Sequence, residues 1–262
     1  MRMRRQLAAA ATVCLAFAAT ASGEVKTKAI DYKDDGTALQ GLMAWDDAAS
    51  GKRPGILVVH EWWGHNEHAR HQAMRFAEAG YVGFALDLFG KGNVTTHPKE
   101  ATAFMQAAMS NPAQTAARFT AALDQLKKDP HVDPTKIAIV GYCMGGSIAL
   151  DMARTGGDFD AVIAVHAGLA TKTPAKKGMV KARLLVLNGA ADPMVPPVQI
   201  EAFEKEMKEA GANATVVTYP GVKHAYTNPD AGKAGLPALE YNADADKQAW
   251  AAIVKLLKEV FA

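Results

Sequence analysis

Cysteine is scarce: the 262-residue chain has two, Cys14 and Cys143. An excess of one charge is also lacking, since 29 Lys and Arg face 27 Asp and Glu for a formal charge of +2. Three of those positives, Arg2, Arg4 and Arg5, stand in a stretch with no acid before Glu24, so the rest of the chain is close to neutral. Polyanion binders depend on clustered Lys and Arg, so a nucleic-acid partner is excluded. After residue 23 there is no apolar run approaching the ~20 residues of a membrane span, no internal repeat and no low-complexity linker. With 49% hydrophobic and 21% charged residues, disorder, collagen and coiled coil are excluded as well.

What is present begins with a leader. Met1 to Gln6 is basic, Leu7 to Ala19 is apolar, and Ala19-Thr20-Ala21 resembles an A-x-A cleavage site, the pattern of a secretory signal peptide over residues 1–23. This implies export, to a bacterial periplasm or beyond, with one domain over residues 24–262 and no stable membrane span once the leader is gone. Cys14 leaves with the leader. Cys143 is then the only thiol, unable to form an internal disulfide and exposed to oxidation unless burial or a reaction justifies it.

The remaining chain alternates short apolar runs with amphipathic ones. Val25 to Tyr32 and Ala38 to Trp45, separated by Asp34-Asp35-Gly36, read as a hairpin. Gly55 to His60, Val82 to Leu86, Lys136 to Tyr142, Ala161 to Val165, Leu184 to Leu187 and Ala214 to Tyr219 read as strands of a parallel sheet buried on both faces. Between them, Ala69/Ala73/Phe76/Ala77, Phe119/Ala122/Leu123/Leu126, Ile200/Phe203/Met207 and Trp250/Ile253/Val254/Leu257/Phe261 keep helical spacing. The expected fold is a mostly parallel, doubly wound α/β sheet with helices on both faces, binding ligands at the carboxyl ends of the strands.

At one such end lies Gly141-Tyr142-Cys143-Met144-Gly145-Gly146, a G-x-S-x-G nucleophile elbow with Cys for Ser. A nucleophile at a sharp strand-to-helix corner needs glycine two residues to either side, where backbones crowd. The helix N-terminus favours a thiolate, and Met144 N–H can serve as an oxyanion donor. No Gly-Lys-Ser/Thr follows, so this is not a phosphate loop. An elbow calls for an acid and then a histidine on later carboxyl-end loops. Asp192 follows Leu184 to Leu187, and His224 follows Ala214 to Tyr219. Taken singly, Asp192 could be a helix-capping turn residue and His224 a solvated loop imidazole. The order Cys143, Asp192, His224 on three successive loops instead reads as nucleophile, orienting acid and base.

GILVVHEWWG (Gly55 to Gly64), ALDLFGKG (Ala85 to Gly92), VGYCMGG (Val140 to Gly146), NGAADPMVP (Asn188 to Pro196) and YPGVKHAY (Tyr219 to Tyr226) together resemble the dienelactone hydrolase (carboxymethylenebutenolidase) family of α/β-hydrolases. The resemblance implies an α/β-hydrolase fold and a Cys143–His224–Asp192 triad. It also implies that Glu61 pairs with the resting thiol until substrate enters, and that Trp62 N–H is a second oxyanion donor. The family's substrate-carboxylate arginines would fall near Lys91, which keeps charge without the bidentate fork, and near Asn228, which is neutral. Trp63, His166 and Tyr226 are further expected pocket residues. A thiolate leaves more readily than an alkoxide, so a Cys nucleophile favours activated lactones and aryl esters over plain alkyl esters.

His65, His68 and His71 recur at every third position, but at 3.6 residues per turn His71 points about 120° from His65, so no metal site is expected. No cofactor is expected either; the expected partner is a small lactone or ester, and monomer or dimer stays open. The alternatives are a broader aryl-ester or thioester hydrolase on the same triad, or a non-catalytic protein that keeps the pocket.

Overall fold

The computed structural model describes residues 23–262; apart from Gly23, the expected leader and its Cys14 lie outside the described residues. Eight strands form one sheet: β1 (Val25–Asp34), β2 (Thr37–Asp46), β3 (Arg53–Val59), β4 (Val82–Ala85), β5 (Val132–Tyr142), β6 (Ala161–Val165), β7 (Arg183–Gly189) and β8 (Ala214–Tyr219). The helices are α1 (Glu67–Glu78), α2 (Pro98–Ser110), α3 (Pro112–Lys128), α4 (Met144–Arg154), α5 (Pro197–Ala210) and α6 (Ala243–Val260). The strand order is β1-β2-β4-β3-β5-β6-β7-β8. β1 and β2 run antiparallel to each other, β2 runs antiparallel to β4, and the other pairs are parallel.

Local chemistry accounts for the elements. Asp35 and Gly36 form the two-residue loop between β1 and β2, both with positive φ (42° and 77°), the backbone of a hairpin turn whose twist matches that of its strands. Asn66, Asn111 and Asn242 each accept a backbone N–H at the start of α1, α3 and α6, satisfying donors a helix cannot pair internally. In β3, alternation sends Ile56 and Val58 to one face, with Ala73 and Phe76 of α1 and Ala249 and Ile253 of α6. Leu57 and Val59 face the other, with Phe119 and Leu126 of α3, Ile148 of α4 and Phe203 of α5. The sheet is therefore covered on both sides.

Two expectations about the strands are corrected. β8 is an edge strand on which only Tyr219 is buried, because it has a neighbour, β7, on one side alone. β5 starts at Val132, not Lys136, and its register against β3 shifts between Pro54 and Gly55. Pro134 offers no N–H to the ladder, and Thr135 bonds Asp133 through both its N–H and its hydroxyl, so a local irregularity precedes the regular part.

The chain runs from β3 to β4 on one side of β3, then returns through α2 and α3 to β5 on the other. Beyond the carboxyl ends of β3 and β5 the connections diverge, leaving the crevice in which open α/β sheets bind ligands.

Candidate active site

Cys143 sits at that crevice, between β5 and α4, with φ 53° and ψ −121°, a conformation L-residues avoid unless the surroundings enforce it. Its N–H donates to Val165 O at 2.9 Å, tying the corner to β6. A Cβ on Gly141 would stand 2.2 Å from Gly145 O, and one on Gly145 would stand 2.4 Å from Val59 O. Both obstacles are backbone, so neither glycine admits a side chain without moving α4 off the sheet. Gly145→Ala is expected to cost about 3 kcal/mol of stability, read as a lower denaturant midpoint; an unchanged midpoint would show that α4 can yield.

Asp192 and His224 meet because their loops are joined: Ala190 N–H donates to Tyr219 O, and Ala191 N–H to Val222 O. His224 Nδ1 lies 2.6 Å from Asp192 Oδ2, while Asp192 Oδ1 accepts Met194 N–H at 2.8 Å. The turn-residue role weighed for Asp192 is thus real and coexists with its contact to His224, although it caps no helix: α5 begins after Pro196 without a side-chain cap. The histidine loop is held from outside by His224 N–H to Ala238 O and Glu240 N–H to His224 O.

His224 is 3% exposed and Asp192 4%. Burial opposes a charged imidazole most strongly. The charge interaction with Cys143 and the hydrogen bond to Asp192 outweigh it, and His224 is pushed from 6.5 up to about 10. Nε2 has no protein partner of hydrogen-bond geometry among the described residues, so the electrostatic pull of Cys143 acts without an aligned bond.

Among the described residues, the backbone N–H groups of Trp62 and Met144 donate to no protein acceptor. One leaves the end of β3 and the other opens α4 beside Cys143, so both are free donors at the crevice.

Glu61 is 1% exposed. The expected resting pair with the thiol is not the arrangement found: Glu61 Oε2 accepts Asn228 Nδ2 at 2.7 Å, and no hydrogen bond joins Glu61 to Cys143 among the described residues. Asn228 is fixed in turn, its Oδ1 accepting Asp230 N–H at 3.0 Å. Two imidazoles flank the carboxylate, His68 Nδ1 at 3.6 Å and His166 Nε2 at 4.0 Å. His166 is wholly buried, with φ 41°, its ring edge-on to His224 at 5.0 Å and its Nε2 3.0 Å from Thr227 Oγ1. Burial, reinforced by His224 and His68, holds it well below 6.5.

The expected pocket residues divide. Trp63 is buried against Ala101, Ala225 and Leu239, with the half-buried Trp62 ring 4.7 Å away. Lys91 is not brought in: its Nζ pairs with Asp31 of β1 at 2.9 Å, because its loop is drawn toward the hairpin by Lys91 N–H to Ala38 O. Tyr226 is corrected to a core residue, fully buried with its hydroxyl donating to Leu187 O. Thr227 escaped the sequence reading although it supports His68 and His166 at once; a lone threonine in a loop carries no periodic or motif signal. His60 accepts Leu88 N–H in the core. His65 is buried, which pushes it down to about 3, His68 faces Glu61 and Thr227 O, and His71 is exposed, so the three spaced histidines do not converge. An open groove of about 690 Å³ runs along α6 from Trp250 to Ala262. Phe261 O there accepts from Lys136 near the start of β5's regular run, which puts the groove's C-terminal part at the opposite end of the sheet.

This strand order, with a strained residue between β5 and α4 and an acid–histidine pair on the loops after β7 and β8, defines an α/β-hydrolase. The chain matches the dienelactone hydrolase family over residues 39–261 and belongs to it; it is a hydrolase of that family. A dienelactone hydrolase-like promiscuous phosphotriesterase from metagenomic libraries is 33% identical, with a TM-score of 0.87 over 91% of this chain and 99% of that one. A protein of Aquifex aeolicus provisionally named carboxymethylenebutenolidase is 26% identical over 76% of this chain and 86% of its own. An esterase of Thermogutta terrifontis, 18% identical with a TM-score of 0.62 over 89% of this chain and 92% of its own, shares the fold.

Proposed function

We propose that the protein hydrolyses activated carboxylic esters or lactones through a thioester on Cys143. The observation that carries the reading is the His224 Nδ1–Asp192 contact of 2.6 Å in a histidine whose charged form is stabilised by Cys143. Cys143 Sγ attacks the carbonyl carbon, and the displaced π electrons form an oxyanion held by Trp62 and Met144 N–H. The C–O bond then breaks and His224 gives its proton to the leaving oxygen. In the second half, His224 takes a proton from water, whose oxygen attacks the thioester and releases the acid and the thiol. Asp192 holds the ring so that Nε2 faces Cys143.

Because sulfur leaves the tetrahedral adduct more easily than an alkoxide, acylation goes forward only when the departing oxygen is stabilised, as in an aryl ester or enol lactone. kcat/KM for an aryl ester is expected to exceed that for the matched alkyl ester about 100-fold, ~3 kcal/mol of barrier. Intact-mass spectra should catch the acyl adduct on Cys143. Equal rates on both esters, or turnover with no adduct at any time, would sink the thioester route. Residues 1–23 are part of the proposal as an export leader, and the mass of protein recovered from the periplasm reads whether they have been removed.

A further inference from the structure

We infer that the site selects acyl groups without negative charge, and that Glu61, fixed by Asn228, is the residue that rejects a carboxylate-bearing acyl. The inference rests on the hydrolase reading above and narrows its substrate class.

Glu61 is a buried carboxylate one residue before the Trp62 N–H that would hold the oxyanion, and His166 bridges it to the base, 4.0 Å from Glu61 and ring to ring 5.0 Å from His224, so an acyl group bound for attack comes near it. No lysine or arginine among the described residues lies within 4.0 Å of that carboxylate. Asn228 is uncharged and its amide is locked by Asp230 N–H with Nδ2 toward Glu61. His166, on the other oxygen, is kept neutral by burial. The only groups within 4.0 Å that could be cations are the imidazoles of His68 and His166 for Glu61 and of His224 for Asp192; no lysine or arginine among the described residues is that close. The cations nearest in sequence to the site loops are engaged elsewhere: Lys91 with Asp31, Lys223 with Glu240, and Arg70 with Glu67 and His65 O. A second carboxylate entering this space would lose its water and meet a like charge with no lysine or arginine at hand to pair with it. A neutral acyl meets neither penalty.

The test uses two esters of the same phenol with acyl chains of equal length, one ending in a carboxylate and the other in its methyl ester. kcat/KM for the neutral ester is expected to be about 100-fold higher. The ratio should hold between about 0.05 M and about 0.5 M salt, because a buried charge is poorly screened. Glu61→Gln keeps an oxygen for the Asn228 amide but drops the charge, and should shrink the ratio at least about tenfold, whatever happens to kcat. The ratio compares two substrates on one protein, so a general loss of activity cancels. Should that variant not fold, inhibition of the unaltered enzyme by the carboxylic acid product and by its primary amide makes the same comparison, with tighter binding of the amide expected. A ratio near one, a ratio untouched in Glu61→Gln, or equal inhibition by acid and amide would overturn the inference. Failure to hydrolyse either ester would overturn the hydrolase reading, and this inference with it.

Discussion

Cys143→Ala is expected to lower kcat/KM toward an activated aryl ester by about 10⁴-fold and to abolish the acyl adduct seen by mass, while the fold stays intact. Losing a nucleophile removes the covalent route entirely, and what remains is the modest rate that oxyanion donors and substrate binding supply without it. The substitution suits a clean test. Cys143 is half-buried and free, its side chain makes no hydrogen bond among the described residues, and alanine occupies the same strained φ of 53° without adding bulk. A melting temperature within a few degrees of the parent, together with lost turnover, assigns the chemistry to the sulfur. Activity within about tenfold of the parent would mean the nucleophile lies elsewhere.

Asp192→Asn is expected to reduce kcat by about 10⁴-fold through the tautomer of His224. Asp192 Oδ1 accepts Met194 N–H and Oδ2 faces His224 Nδ1. An asparagine keeps its one oxygen on the Met194 N–H and so turns its NH₂ toward His224. Nδ1 must then accept, the ring proton moves to Nε2, and the base no longer has a lone pair directed at Cys143. The pH profile separates this from simple loosening. In the parent, kcat/KM should fall as pH rises through about 10, where His224 loses the proton owed to the leaving group. Asp192 favours the charged ring, so in Asp192→Asn the fall should begin at lower pH. A loss below about tenfold, with the alkaline limb unmoved, would leave Asp192 as a turn residue only.

Much of this was legible in the chain. The strands at Ala161–Val165 and Ala214–Tyr219 fall where the apolar runs place them, because continuous runs of β-favouring residues bounded by turns have few other outcomes. The stripes over α1, α3, α5 and α6 are carried by the helices found there. The elbow glycines announced a close approach, and backbone lies within 2.4 Å of where both side chains would begin. The helix α2 escaped because it buries only Ala101: an element lying largely on the surface needs no apolar stripe, so it leaves no period to read.

The sequence by itself determined the alternation of strand and helix, the glycine-flanked corner at Cys143 and the chain order of Cys143, Asp192 and His224, since each rests on local spacing and local backbone sterics. Only the tertiary structure decided that β4 and β5 flank β3 on opposite sides and open a crevice there. It also turned Glu61 to Asn228, 167 residues away in sequence, sent Lys91 to Asp31 and put Tyr226 in the core. The exposed Lys91 goes where its loop is tied, by its N–H to Ala38 O. For Glu61 and Tyr226 the physical reason is that a buried polar group must find a partner wherever packing supplies one. Which partner that is depends on how the sheet brings distant loops together, and local sequence does not encode it.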